Sequence, residues 1–215
     1  MKNITLFVAL CASFVATAQD DLIRSVAGNQ SANAGFQFTI IINLERTDVK
    51  DQGSSGTCWS YAGASFIESE MKRMGKKPID LAEIYTARNC YIEKAKQYVR
   101  MHGNLDYGQG GELHDVINMY AKYGAVPQNV YTGLHYGTTR NDFGELHAIL
   151  QGFLKGMIRN GEKKKKLTPK WLPAFTATID AYLGAVPESF MYEGKKYTPQ
   201  SFAKERVGIN PADYI

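Results

Sequence analysis

The string Gly-Ala-Val-Pro occurs twice, at 124–127 and 184–187, and it punctuates a chain otherwise built of helical periods. Glycine tolerates the left-handed conformation that closes a helix, and a proline shortly after it cannot continue one. Each copy follows an amphipathic segment, Glu112–Tyr123 and Pro169–Leu183, so each is expected to stop a helix. Three more segments carry helix-like spacing. They are Cys58 to about Met74, with Gly75 as its C-terminal cap, Asp80 to about Arg100, and Arg140–Arg159. Strand signals are few: the β-branched run Phe36–Leu44, and a turn at Glu193–Lys196 between Phe190–Tyr192 and Tyr197. These segments predict an α-rich chain in which the helix starting at Cys58 is central. The doubled string reads as one stop device used twice, not as a repeat architecture.

The first eighteen residues, MKNITLFVALCASFVATA, have the form of an export signal. Lys2 gives the positive start. Ile4–Val15 is apolar but too short to span a bilayer, and Ala16-Thr17-Ala18 offers small residues at a cleavage site. Cleavage after Ala18 predicts an exported protein, periplasmic or extracellular, beginning at Gln19. No other stretch is long and apolar enough to cross a membrane as a helix. The expected organisation is a signal at 1–18, an N-terminal extension with a strand at 19–48, and a helical lobe at 49–215.

The net charge of +4, from 25 basic and 21 acidic residues, is too mild to indicate nucleic acid. The one basic run, Lys163–Lys166, lacks interleaved aromatics and reads as a solvated loop or helix end. With Cys11 in the signal, Cys58 and Cys90 remain, which is no disulfide framework. Cys90 lies inside a helical segment and is expected to be a small core residue. A Cys58–Cys90 disulfide is the alternative.

Cys58 stands in the string VKDQGSSGTCWSYA. A nucleophilic cysteine works as thiolate, and a helix N-terminus favours that form. Cys58 sits where a Gly/Ser loop becomes a helix. Gln52 offers a side-chain N–H beside the backbone N–H of Cys58, and together they would make an oxyanion hole. Losing one such donor typically costs ~10²–10³ in rate. Trp59 is placed to shield the site from water.

QGSSGTCWSYA resembles the active-site segment of papain-like cysteine peptidases. Gln52 matches the oxyanion glutamine and Cys58 the nucleophile. Ser55 stands where many secreted members carry a disulfide cysteine, a departure shared with the bleomycin hydrolase and bacterial aminopeptidase C branch. GQGGELHDVINMYAKYGAVPQNVY and YEGKKYTPQSFAKERVGINPADYI are similar to further segments of that branch. The resemblance runs from about Phe38 to Ile215. It implies an α+β papain-like fold, of which this chain supplies mainly the helical lobe. It also implies peptide substrates, aminopeptidase preference, no cofactor and no metal. Gly110 and Gly111 match glycines that hydrogen-bond the substrate backbone; read alone, they are a turn feeding the next helix. Relatives that form rings with a basic channel raise a homo-oligomer and, weakly, a nucleic-acid role.

The family also needs a histidine base and an asparagine to orient it, both far downstream of the cysteine. The histidines here are His102, His114, His135 and His147. His147-Ala148-Ile149 resembles the family's His-Ala-aliphatic string but sits on an amphipathic helix, where the family has a strand. The expectation is therefore an N-terminal half whose sheet lobe, with base and orienter, is absent from these residues. A separate C-terminal half would supply them. The competing expectation is a degenerate half that binds peptides without cleaving them.

Overall fold

The computed structural model describes residues 39, 41–42, 46–164 and 166–214. The chain divides into two units, 1–43 and 44–215, and the account below concerns the second. The export signal, and residues 36–38, 40 and 43–44 of the strand expected at 36–44, lie outside the described residues. Lys165 and the side chains of the neighbouring lysines lie outside them too, apart from Lys166.

Five helices make the body: α1 Cys58–Arg73, α2 Glu83–Arg100, α3 Leu113–Tyr123, α4 Gly144–Lys164 and α5 Trp171–Leu183. The stop device works at both places. Gly124 (φ +76°) and Gly184 (φ +86°) close α3 and α5, their amides donating to Tyr120 O and Asp180 O, each at 2.9 Å. Met74 caps α1 and Gly75 follows at φ +72°.

Four helix starts fall later than the periodicity predicts, α5 at Trp171 among them, and in the other three the residues before the helix have other partners. Leu81 pairs across to Pro127, and Ala82 N donates to Val126 O at 2.9 Å, so α2 waits until Glu83. Glu112 is the N-cap of α3, in a reciprocal capping box with Asp115. Asn141 and Asp142 face the Gly/Ser loop, so α4 begins at Gly144; its C-terminal end runs past the expected Arg159 to Lys164.

The helix at the centre is α2 rather than α1. It packs against α1, α3, α4 and α5, whereas α1 packs on α2 and α3. Ala87, Cys90 and Ala95 are small and fully enclosed, which lets neighbours approach α2 from several sides. Phe143, Leu146, Leu150 and Leu154 bury one face at the α4 end, and Phe175, Ile179 and Leu183 bury one face of α5. Arg88 ties α2 to α5 through Asp180 Oδ1, with Nε at 2.8 Å and Nη2 at 2.6 Å.

Strands β1 Phe190–Tyr192 and β2 Lys195–Tyr197 pair antiparallel around Glu193-Gly194, whose φ values of +46° and +78° suit a tight primed turn. Phe190, Tyr192 and Tyr197 set ring edges against Phe202, at centroid distances of 5.3, 5.1 and 5.6 Å. Phe202 ends the short helix α6 Pro199–Phe202, which runs into a π-turn at Ala203–Val207. Tyr120 OH on α3 donates to Ala203 O at 2.8 Å, and Tyr214 OH donates to Glu70 Oε2 on α1 at 2.5 Å. The last described residues are thus held against the body.

Candidate active site

Cys58 is the first residue of α1 and is exposed, with its sulfur unbonded. The first N–H groups of a helix have no intrahelical acceptor, and the Cys58 amide is one of them. Cys90 is also a free thiol, but it is buried, and burial pushes it up to about 12. The two cysteines are not joined.

The loop leading to Cys58 is fixed at several points. Lys50 Nζ lies 2.5 Å from Asp80, 2.5 Å from Glu83 and 3.2 Å from Glu68. Glu68 also accepts from Thr47 Oγ1 at 2.5 Å and Leu81 N at 2.9 Å. Burial works against the Lys50 charge, but the bonds and fields of these carboxylates outweigh it and hold the ammonium above its ordinary range. Burial pushes the Glu83 carboxyl up, against the pull of Lys50. The oxygens of this carboxylate trio, dispersed in sequence over Glu68, Asp80 and Glu83, lie within 4.8 Å of one another. The Lys50 ammonium stands among them and supplies the compensating charge.

Beyond Lys50, Asp51 pairs with Arg140 at 2.8 Å and accepts from Gly53 N. Gly53 has φ +62°, and a Cβ there would meet Asn141 O at 2.4 Å, so only glycine fits. Ser54 N donates to Asn141 O at 2.7 Å, and Phe143 N returns a bond to Ser54 O at 3.1 Å. Ser55 Oγ donates to Gln52 O at 2.7 Å and lies 2.6 Å from Thr57 Oγ1. Gln52 Nε2 donates to Ser55 O at 2.6 Å. One amide hydrogen is therefore used inside the loop.

The Gly110-Gly111 segment lies against this loop through Trp59. The indole is buried at 6 % exposure, and a Cβ on Gly111 would come within 2.6 Å of its ring. Trp59 thus packs under the glycine segment. A Cβ on Gly110 meets nothing within 4 Å, so that backbone borders open space. The structure accordingly brings Trp59, the neighbour of Cys58 on α1, against Gly111, while Gln52 bonds Ser55 in the loop that leads to Cys58.

Two contributors were not singled out by sequence. Gln109 accepts Gly56 N on its side-chain oxygen at 2.7 Å, and its carbonyl accepts Trp59 Nε1 at 3.0 Å and Tyr91 OH at 3.2 Å. Lys94, on α2, bonds Gly110 O and lies 5.9 Å from the Trp59 ring centroid. Only the position of Gln109 directly before the glycine pair could have flagged it.

The histidines stand elsewhere. His147 is on α4, stacked on Tyr107 with centroids 6.2 Å apart and planes 9° apart. Burial holds its pKa below the ordinary value. His114 is exposed on α3, beside Asp115 at 3.7 Å. His102 is at φ +52° in an exposed loop, and His135 N bonds Tyr182 O. Among the described residues no histidine bonds Cys58. The described residues thus place an exposed thiol at the start of α1, close in sequence to the Trp59 that packs on Gly111.

No protein-family model matches the chain. Aminopeptidase C of Streptococcus thermophilus is 23% identical across 93% of this chain and 52% of its own length. The chain is a homologue of aminopeptidase C. Aminopeptidase C of Lactococcus lactis is likewise 23% identical, covering 93% of this chain and 52% of that protein. The mitochondrial cysteine proteinase 1 of Saccharomyces cerevisiae is 24% identical over 47% of this chain and 25% of its own length. The crystal structure of PepW from Lactobacillus rhamnosis superposes with a TM-score of 0.63 at 21% identity, covering 95% of this chain and 55% of that one. The fold is papain-like, and this chain makes up a helical lobe of it. The chain spans about half the length of the aminopeptidase C relatives it matches.

Proposed function

We propose that this chain carries the nucleophile half of a cysteine peptidase. The observation behind the proposal is an exposed thiol at the first turn of α1, preceded by the loop that Gln52 ties and followed by the Trp59 that packs on Gly111. In this reading the Cys58 thiolate attacks a peptide carbonyl carbon. The developing oxyanion is held by the Cys58 N–H and the free amide hydrogen of Gln52. The carbon–nitrogen bond breaks, the amine leaves with a proton, and water hydrolyses the thioester. Gly110 and Gly111 bind the substrate backbone, with Trp59 supporting them from beneath. The base and its orienting group come from polypeptide outside the described residues. Aminopeptidase preference, peptide substrates and export through residues 1–18 belong to the same proposal, supported by the relatives' names and by the leader's composition.

The test is hydrolysis of aminoacyl and N-blocked peptide substrates by the protein and by Cys58→Ala. Loss of turnover in the variant, with aminoacyl substrates preferred in the parent, is expected. Turnover unchanged by Cys58→Ala refutes the mechanism.

The second reading is a peptide-binding module that does not cleave. What favours it is His147 stacked on Tyr107 instead of facing Cys58. Measurable peptide binding together with no labelling of Cys58 by a peptidyl epoxide would establish it.

A further inference from the structure

Gln109 hydrogen-bonds within two residues of the nucleophile on both sides. Its side-chain oxygen holds Gly56 N, two residues before Cys58, and its carbonyl holds the Trp59 indole N–H, one residue after. Contact is close on the loop side, since a Cβ on Gly56 would meet Gln109 Cβ at 2.8 Å. Tyr91 OH, from the central helix α2, fixes the same carbonyl at 3.2 Å. Gln109 is also covalently continuous with Gly110-Gly111. Displacement of the glycine edge is therefore transmitted to Gly56 and Trp59, and through them to the amide and thiol of Cys58. Ser55 makes its bonds to Gln52 and Thr57 within the loop, so it does not provide this cross-link.

We propose that Gln109 is a positioning residue that sets the Cys58 N–H and Sγ in register with the Gly110-Gly111 edge. The inference rests on the peptidase reading for its kinetic consequence but not for its structural one. Mispositioning a catalytic group by about 1 Å can cost ~10²-fold in rate. Gln109→Leu keeps bulk and removes the acceptor; Gln109→Glu keeps an acceptor oxygen in the same place.

The experiment compares both variants with the parent by amide hydrogen exchange at Gly56, by the amide resonance of Cys58, and by kcat and KM normalised to titratable Cys58. Gln109→Leu is expected to speed Gly56 exchange at least ~10-fold and to shift the Cys58 amide. It should lower kcat ~10–100-fold with KM within about twofold. Gln109→Glu should retain Gly56 protection and keep kcat within about threefold of the parent. Preserved Gly56 protection and kcat in Gln109→Leu overturn the proposal, as does a Gln109→Glu variant as impaired as Gln109→Leu. A parent without turnover overturns the peptidase reading instead, and the exchange and resonance data then decide Gln109 alone.

Discussion

Replacing Lys50 by methionine tests how the loop before Cys58 is anchored. The substitution leaves the carboxylates of Glu68 and Glu83, 1 % and 2 % exposed, without their shared cation. Uncompensated buried charge typically costs about 3–5 kcal/mol. The cost has a ceiling, because one carboxyl can escape by taking a proton. From an ordinary pKa of 4.5, protonation at pH 7 costs about 1.36 × 2.5 ≈ 3.4 kcal/mol, and at pH 5 about 0.7 kcal/mol. The expected penalty is therefore about 3 kcal/mol at pH 7 and under about 1 kcal/mol at pH 5. The sign follows from linkage. A carboxyl whose folded pKa is raised adds stability below its unfolded pKa and loses it as pH rises through the folded value. For a chain of this size the melting temperature should fall by about 6–12 °C at neutral pH. Urea unfolding of the protein and of Lys50→Met at the two pH values measures it. Lys50→Met/Glu83→Gln should recover part of the loss. A penalty below about 1 kcal/mol at pH 7, or one independent of pH, would refute the argument.

Gly110→Ala and Gly111→Ala separate open edge from packed edge. The first Cβ meets nothing and should change KM by less than about fivefold, whereas the second collides with the Trp59 ring at 2.6 Å and should destabilise by about 1–3 kcal/mol, read by thermal melting. His147 is held below its ordinary pKa of 6.5 by burial, so its contribution to stability is present above that value and falls as pH drops below it; His147→Leu should flatten the stability profile between about pH 6.5 and 5. Arg88→Met removes the partner of Asp180 and should cost about 2–4 kcal/mol by denaturant unfolding, with Arg88→Met/Asp180→Asn recovering much of it.

The helices were legible because their burial follows one period. Phe175, Ile179 and Leu183 recur every four residues and are all enclosed, and both Gly-Ala-Val-Pro stops fall where the pattern breaks. Helix starts were less legible, since they depend on partners distant in sequence: Val126 for Ala82, and the Ser54 region for Asn141 and Asp142. The central position of α2 escaped for a related reason. Alanines and a cysteine carry little amphipathic signal, yet they permit close approach on several faces. At the site, the start of α1 at Cys58 was legible from the change of a Gly/Ser loop into a helical period, whereas the glycine pair was picked out only by resemblance. Gln109 and Lys94 were not legible, because their roles consist of bonds to backbone atoms 14 to 53 residues away or rings on other elements. Lys50 escaped likewise, its carboxylates being dispersed over Glu68, Asp80 and Glu83.

A Gly/Ser loop is, by composition, what an extended-peptide protease would accept most readily as a substrate. Here the loop is held at Lys50, at Gly53 and Ser54 by Asn141, at Gln52 and Ser55 by each other, and at Gly56 by Gln109. To be cut it would have to give up all of these ties together and straighten over several residues. The same bonds that aim the thiol thus withhold the segment from digestion. Cleavage in this loop should report on opening of the whole lobe, not on local fraying.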